Sequence, residues 1–517
     1  MKKRTTDRAS GILLHPLSLP GFEGVGTLGC EAFAFIDWLA AAGQKVWQVL
    51  PLGPTGYGDS PYSSFSAFAG NPYMISLSAL VGEGDLDPDS LAPMQRLARD
   101  RVNYAALYRQ KNALLARAAE RFLKSSFASA DQSRRRGDFE SFAAREQEWL
   151  DDFALFMTAK ARHNGLPWQE WPRGLALRED RAALEELRKD PGYGAVLYAQ
   201  WQFSRQWKAV REYADKRGIT IIGDAPIFVA SDSADAWSGR KYFQLDGQGR
   251  ATAVAGVPPD YFSPTGQLWG NPLYDWDALA RDGYAWWKKR IARLLDLVHR
   301  VRIDHFRGFV QYWAVRADAD TAVDGKWRDG PGEKFFMELV QHFGEPLPLI
   351  AEDLGIITPD VAALRDAFSL PGMRIFCFAP WGQETWNDET EKARKFCEHS
   401  YVPEQYVREC IAYPGTHDND TFVGWLSALN YEQRVSVEKY LGCISEESMA
   451  KAVVECLLRS KAGLVIFLMQ DILGLPASAR YNTPGTCNDR NWTWRLLEIP
   501  DTRVAEWLQQ AVKQYLR

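Results

Sequence analysis

The 517-residue sequence contains no CxxC pair, and its seven cysteines (Cys30, Cys377, Cys397, Cys410, Cys443, Cys456 and Cys487) are scattered and odd in number. That argues against a disulfide framework and against a zinc site, and for a reducing, cytoplasmic setting. The chain also lacks any apolar run of the roughly 18 residues that a membrane helix needs. Its start, "MKKRTTDRASGILLHPLSLPG", has basic residues but no apolar stretch of signal-peptide length before Pro16, which fits a plain cytoplasmic start. A basic surplus is missing too: the formal net charge is −5, with no footprint for nucleic acid. Neither nucleic acid nor a membrane is therefore expected as a partner. The GxSxG elbow, the Walker loop and the GxGxxG fingerprint do not stand out. Asp353 follows Glu352 and Asp420 follows Asp418, but no His, Asp and Glu set has a recognisable ligand spacing, so no metal is expected.

What the chain has in abundance is aromatic rings: 20 Trp, 20 Tyr and 26 Phe. Flat rings bind sugar faces, and large cores use the same residues, so composition leaves both readings open. Eight short apolar runs end in polar or glycine-rich turns: 11–18, 45–53, 218–230, 298–309, 347–355, 372–380, 408–420 and 462–474. Runs of this kind suit strands buried on both faces, as in parallel sheets. Helical patterns lie between them, among them 31–43, closed by Gly43, and 358–368, opened by a Thr cap and Pro at the first helical position. Alternating strand and helix predicts an α/β fold, here a (β/α)₈ TIM barrel over 1–517 as one catalytic domain. Two interruptions are expected: a mainly helical insertion at about 80–215, and a Gly-, Pro- and aromatic-rich one at about 231–276, too long for an ordinary loop. The run "RRRGD" within the first reads as solvated surface.

Charge stands inside one of the eight runs, "VRIDHFRGF" (301–309). Residues two apart on a strand share a face, so Arg302, Asp304 and Phe306 are expected together, with Val301 and Ile303 opposite. A guanidinium beside Asp304 would favour its ionised form. Glu352 and Asp418 close two later runs, at intervals that fit one and two βα units. Active sites of such barrels form at the C-terminal strand ends, and buried acids are costly unless paired, so three in matching places suggest chemistry. Retaining glycoside chemistry uses an ionised nucleophile, a protonated acid/base and polar groups that stabilise an oxocarbenium-like transition state. This assigns Asp304 as nucleophile, Glu352 as acid/base and Asp418 as stabiliser, with His417 placed to bond a sugar hydroxyl. A structural Arg–Asp pair, a non-catalytic glucan-binding protein, an α-glucan hydrolase and a metal-dependent hydrolase remain alternatives at this point.

The stretches "GILLHPLSLPG", "WQVLPLGPTGYGDSPYSSFSAFAGNPY", "GDAPIFVA", "GVPPDYFSPTGQLWGNPLYDW", "VRIDHFRGF", "AEDLG", "THDNDT" and "YNTPGT" carry a family likeness. The chain resembles the amylomaltases, the 4-α-glucanotransferases or disproportionating enzymes of the α-amylase superfamily, from near residue 11 to near 486. The resemblance implies a (β/α)₈ barrel with helical insertions and no separate C-terminal β-domain. It implies transfer of α-1,4-glucan segments between maltooligosaccharides, without a cofactor, by a monomer or homodimer. It places the same roles on Asp304, Glu352 and Asp418, and Arg302 and His417 beside them. It further puts Tyr62, Asp224 and Trp269 around the sugars, with Ser60 close by, and an active-site lid at 256–262. Ala225 and Pro264 depart from the residues usual in the family.

Overall fold

The computed structural model describes residues 8–126, 129–259, 263–355, 357–382 and 397–517. Each of the eight apolar runs meets one strand, the first starting two residues before its run: β1 (Ala9–Leu13), β2 (Val46–Gln48), β3 (Thr220–Pro226), β4 (Arg300–Asp304), β5 (Leu349–Ala351), β6 (Gly372–Ile375), β7 (Cys410–Tyr413) and β8 (Leu464–Leu468). They form one parallel sheet in the order β6-β7-β8-β1-β2-β3-β4-β5. The seam between β5 and β6 is joined by one backbone bond, Ala351 N–H to Pro371 O at 3.0 Å. The Asp353 side chain takes over from there. It accepts from Met373 N–H at 2.6 Å and pairs with Arg365 and, at 3.5 Å, with Arg374. A Cβ at Gly372 would stand 2.5 Å from Asp353 Oδ2, so only glycine lets the carboxylate reach the seam. Asp353 thus fastens the barrel, although it follows Glu352 directly.

The charge within β4 obeys the two-residue alternation of a strand. Val301 and Ile303 pack outward against helices, while Arg302, 3 % exposed, points into the barrel. Phe306 does not share that face, contrary to the alternation expected from the sequence. The strand ends at Asp304, and His305 has φ +56°, which turns the chain over before Phe306. Phe306 instead packs in the core, its ring tilted against Phe309 and Phe336. Most of the aromatic surplus goes the same way: Trp47, Trp168, Trp201, Trp207, Trp237 and Trp287 are all but fully buried.

Between β2 and β3 the chain is largely helical, from Leu77–Gly82 to the 26-residue helix Pro191–Lys216. Arg135 of "RRRGD" is not solvated surface. It turns inward and holds Glu83 and Asp85 at 2.7 and 2.5 Å, while Arg134 stays exposed. Helix Pro359–Ala367 starts where expected, but the Thr358 side chain makes no cap bond. The 231–276 stretch has regular structure. Strands Ala253–Val257 and Gln267–Pro272 pair with each other and, through Val254 opposite Val315, with Gln311–Arg316, which pairs in turn with Lys326–Asp329. This antiparallel sheet stands over the C-terminal end of β4. No helix among the described residues is long and apolar enough to cross a membrane, and no strand among them follows Leu468.

Candidate active site

Asp224 lies two residues before the end of β3 and Asp304 closes β4, and the register sets Asp224 opposite Arg302. Arg302 lies between the two acids. One guanidinium nitrogen reaches both Asp224 oxygens, at 2.8 and 2.7 Å, and the other reaches Asp304 Oδ1 at 2.9 Å. Its Nε–H points to Met373 Sδ at 3.4 Å. Burial lowers the Arg302 pKa, but Asp224 and Asp304 outweigh it and hold the guanidinium charged. Asp224 is 2 % exposed, whereas the Asp304 side chain keeps 30 % of its surface open to the cleft.

Glu352 stands just past β5, and no cation among the described residues bonds its oxygens. His305 N–H donates to Oε2 at 2.7 Å and Leu354 N–H to Oε1 at 2.8 Å. The left-handed turn at His305 is what aims that amide back at Glu352. Burial and the Asp304 charge push the Glu352 carboxyl up to about 8, against the pull of Arg302 and the two amides. Asp304 behaves less simply than its neighbour Arg302 suggests. Burial raises it, Arg302 lowers it, Asp224 and Asp418 raise it again, and it ends at about 6. Arg302 does favour the ionised form, as the sequence suggests, but desolvation is the larger effect and sets the carboxyl above the usual carboxylate range. The pair is still split, with Glu352 the later of the two to ionise.

On the facing side, the turn after β7 presents His417 and Asp418. Tyr62 OH lies 2.7 Å from Asp224 Oδ2 and 2.8 Å from His417 Nε2, and its ring stacks on the imidazole at 5.2 Å and 13°. A hydroxyl that donates to Asp224 must accept from His417, which selects the tautomer with hydrogen on Nε2. Burial, and then Asp224, lift the phenol well above its usual range, so it stays a donor. His417 Nε2 is also 3.4 Å from Asp418 Oδ2. Ser60 shapes the turn before Tyr62, accepting the Tyr62 N–H at 3.2 Å. Trp269, 37 % exposed, meets His305 edge-on at 4.8 Å. Of the expected lid, 256–259 lies in and after strand Ala253–Val257, and 260–262 falls outside the described residues. Ala225 is buried on the outward face of β3, away from the acids.

Several contributors were not singled out from the sequence. Asn482 Nδ2–H donates to Asp418 Oδ1 at 2.7 Å, and Arg480 donates to the Asp418 carbonyl at 2.6 Å and to the Asn482 carbonyl. Asn482 lies in "YNTPGT", so the motif was visible but the residue was not separable from it. Trp492, with φ +64°, packs on Tyr62 and His417 at 5.9 and 6.0 Å. Inside the barrel Tyr413 OH donates to Gln48 Oε1 at 2.9 Å. Among the described residues, no three His, Cys, Asp or Glu side chains converge as a metal site.

Such a set has a catalytic reading: a cation-supported carboxylate open to a cleft, a carboxyl that holds its proton, and a third acid anchored by an amide. Comparison with known proteins agrees with it. A family model described as 4-alpha-glucanotransferase matches residues 14–500. The 4-alpha-glucanotransferase of Thermus thermophilus is 47 % identical over 501 residues, 95 % of this chain and 95 % of that protein. The chloroplastic/amyloplastic 4-alpha-glucanotransferase of Solanum tuberosum is 43 % identical over 497 residues, 95 % of this chain and 82 % of that one. Among solved structures, the amylomaltase from Streptococcus agalactiae in complex with acarbose superposes with a TM-score of 0.91 at 37 % identity, over 99 % of both chains. Sequence, fold and the strand-end geometry converge, and the chain belongs to the 4-α-glucanotransferase family.

Proposed function

We propose that the protein transfers α-1,4-glucan segments from a donor maltooligosaccharide to the 4-hydroxyl of an acceptor glucan or glucose, by double displacement with retention. Asp304 Oδ attacks the anomeric carbon of the donor. As the bond from that carbon to the leaving 4-oxygen breaks, Glu352 delivers its proton to the oxygen, and a glycosyl ester of Asp304 forms. The acceptor 4-hydroxyl then gives its proton to Glu352 and displaces Asp304, which restores both carboxyls. Asp418, oriented by Asn482, faces the positive charge that grows on the sugar ring. Tyr62, His417 and Trp269 line the same space and suit contact with donor and acceptor rings.

The observation that carries this reading is the different support of Asp304 and Glu352: a guanidinium on the first and, among the described residues, main-chain amides on the second. The acarbose bound by the Streptococcus agalactiae amylomaltase supports an oligosaccharide as the ligand. All seven cysteines are free thiols, which suits a cytoplasmic enzyme. The test is incubation of the protein and of Asp304→Asn with maltotriose, with products resolved by chain length. A ladder of longer glucans plus glucose, absent in the variant, supports transfer through Asp304. Glucose and maltose without longer products would make the protein a hydrolase, and a ladder that survives in Asp304→Asn would remove Asp304 as nucleophile.

A further inference from the structure

We propose that Asp471 is a positioning residue for Asp418 and that it acts as the neutral acid. The inference rests on Asp418 as a catalytic group, as proposed above.

Asp471 follows β8 in the short helix Met469–Ile472 and is 3 % exposed. Its Oδ1 accepts the Phe422 N–H at 2.7 Å, which ties it to the turn that carries His417 and Asp418. The same short helix holds the segment that carries Arg480 and Asn482, the two residues bonded to Asp418. Gln470 Nε2–H donates to Ala479 O at 3.2 Å, and Leu475 N–H donates to Gln470 O at 2.9 Å. The two pieces meet directly: a Cβ at Gly424 would lie 2.4 Å from Asp420 Oδ1 and 2.9 Å from the Ala477 Cα. Asp471 therefore sits in the short helix where the turn that carries Asp418 and the segment that carries Arg480 and Asn482 come together.

The other oxygen, Oδ2, is buried and has no hydrogen-bond partner among the described residues. A buried carboxylate left in that state is costly, and a carboxylic acid much less so. The groups set against Asp471 are Asp420, from the turn after β7, and the Cys377 thiol, after β6. Of the two, only Asp420 brings a charge that favours a proton on Asp471. Burial, then Asp420, raise Asp471 to about 7 against the Phe422 amide, and the thiol is held neutral by burial and the two acids. Ionising Asp471 would set two carboxylates against each other across the junction and displace the turn that carries Asp418.

The experiment compares the full-length protein with Asp471→Asn and Asp471→Ala, by maltotriose transfer from pH 5 to 9 and by thermal unfolding over the same range extended to pH 4. Asparagine keeps the acceptor for Phe422 and cannot ionise. It is expected to hold kcat within about threefold of the parent at pH 6. Its alkaline limb should move upward and fall with one proton where the parent falls with two. Alanine should lower kcat at least tenfold at every pH with KM little changed, because it frees the turn. In unfolding, the parent binds the Asp471 proton when folded and not when unfolded between about pH 4 and 7, so its stability falls across that window. The Tm of Asp471→Asn should gain on the parent from pH 4 to 7 and then run parallel. Superimposable rate profiles, or an asparagine variant as impaired at pH 6 as alanine, would overturn the proposal. A constant Tm difference would overturn it even if the parent showed no transferase activity, which would separately end the functional reading.

Discussion

Two groups of carboxylates stand around one barrel mouth, and they are kept there by different means. Near the ends of β3 and β4, Asp224 and Asp304 share the Arg302 guanidinium. After β7 and β8, Asp418, Asp420 and Asp471 gather with Arg480 nearby, yet Arg480 spends its donors on main-chain oxygens. The first group is compensated by a cation and can be deeply buried while ionised. The second has to leave its acids near solvent, as with Asp418, or keep a proton, as argued for Asp471. Glu352 belongs to the second kind: amides orient it, and burial keeps it protonated. A nucleophile and an acid need these opposite states, and the barrel provides them on neighbouring strands.

The contrast can be broken at its strongest point first. Asp304→Asn is expected to lower kcat at least about 10⁴-fold, read as initial transfer rate, because no covalent intermediate can form. Glu352→Gln should lose about 10²–10⁴-fold on glucan donors and far less on a donor whose leaving group needs no proton. For the parent, the bell-shaped rate profile should fall below about pH 6 as Asp304 gains its proton, and fall above about pH 8 at the latest as Glu352 loses its own. In Glu352→Gln the limb due to Glu352 should vanish. Arg302→Met turns the compensated group into an uncompensated one. With Asp224 stranded, chemical denaturation should show a loss of about 3–5 kcal/mol. Asn482→Ala removes one bond to a charged group, and a fall of about 10–100-fold in kcat with a small KM change is expected. Trp269→Ala is the mildest, a several-fold rise in the KM for acceptor sugar with a near-normal Tm, since its ring is partly exposed.

How much of this was readable before the structure depended on how local the signal was. Seven of the eight strands lie within the apolar runs and β1 overlaps the first, because burial on both faces leaves an uninterrupted mark in the sequence. An acid at the end of such a run was a usable signal for Glu352 and Asp418. Asp471 in "LMQDILG" carries the same signal, whereas Asp224 sits in the middle of its run. The antiparallel sheet was not readable. Its strands pair across about 60 residues, Val254 with Val315, and glycine and proline between them mimic loop composition. Phe306 was misplaced because the alternation stops at a left-handed histidine, which no period reveals. Arg135 was misread because its partners, Glu83 and Asp85, lie some 50 residues earlier.

The dipeptide Glu352–Asp353 has one side chain turned to the cleft and the next to the seam between β5 and β6. The clasp of the barrel and the direction of its proton donor are therefore one mechanical unit. Changes that tighten or loosen the seam will be felt as changes in proton delivery, and the two properties cannot be engineered separately at this joint. Thermal tolerance and turnover should then vary together among variants of Asp353, Arg365 and Gly372, where elsewhere in the barrel they can be traded independently.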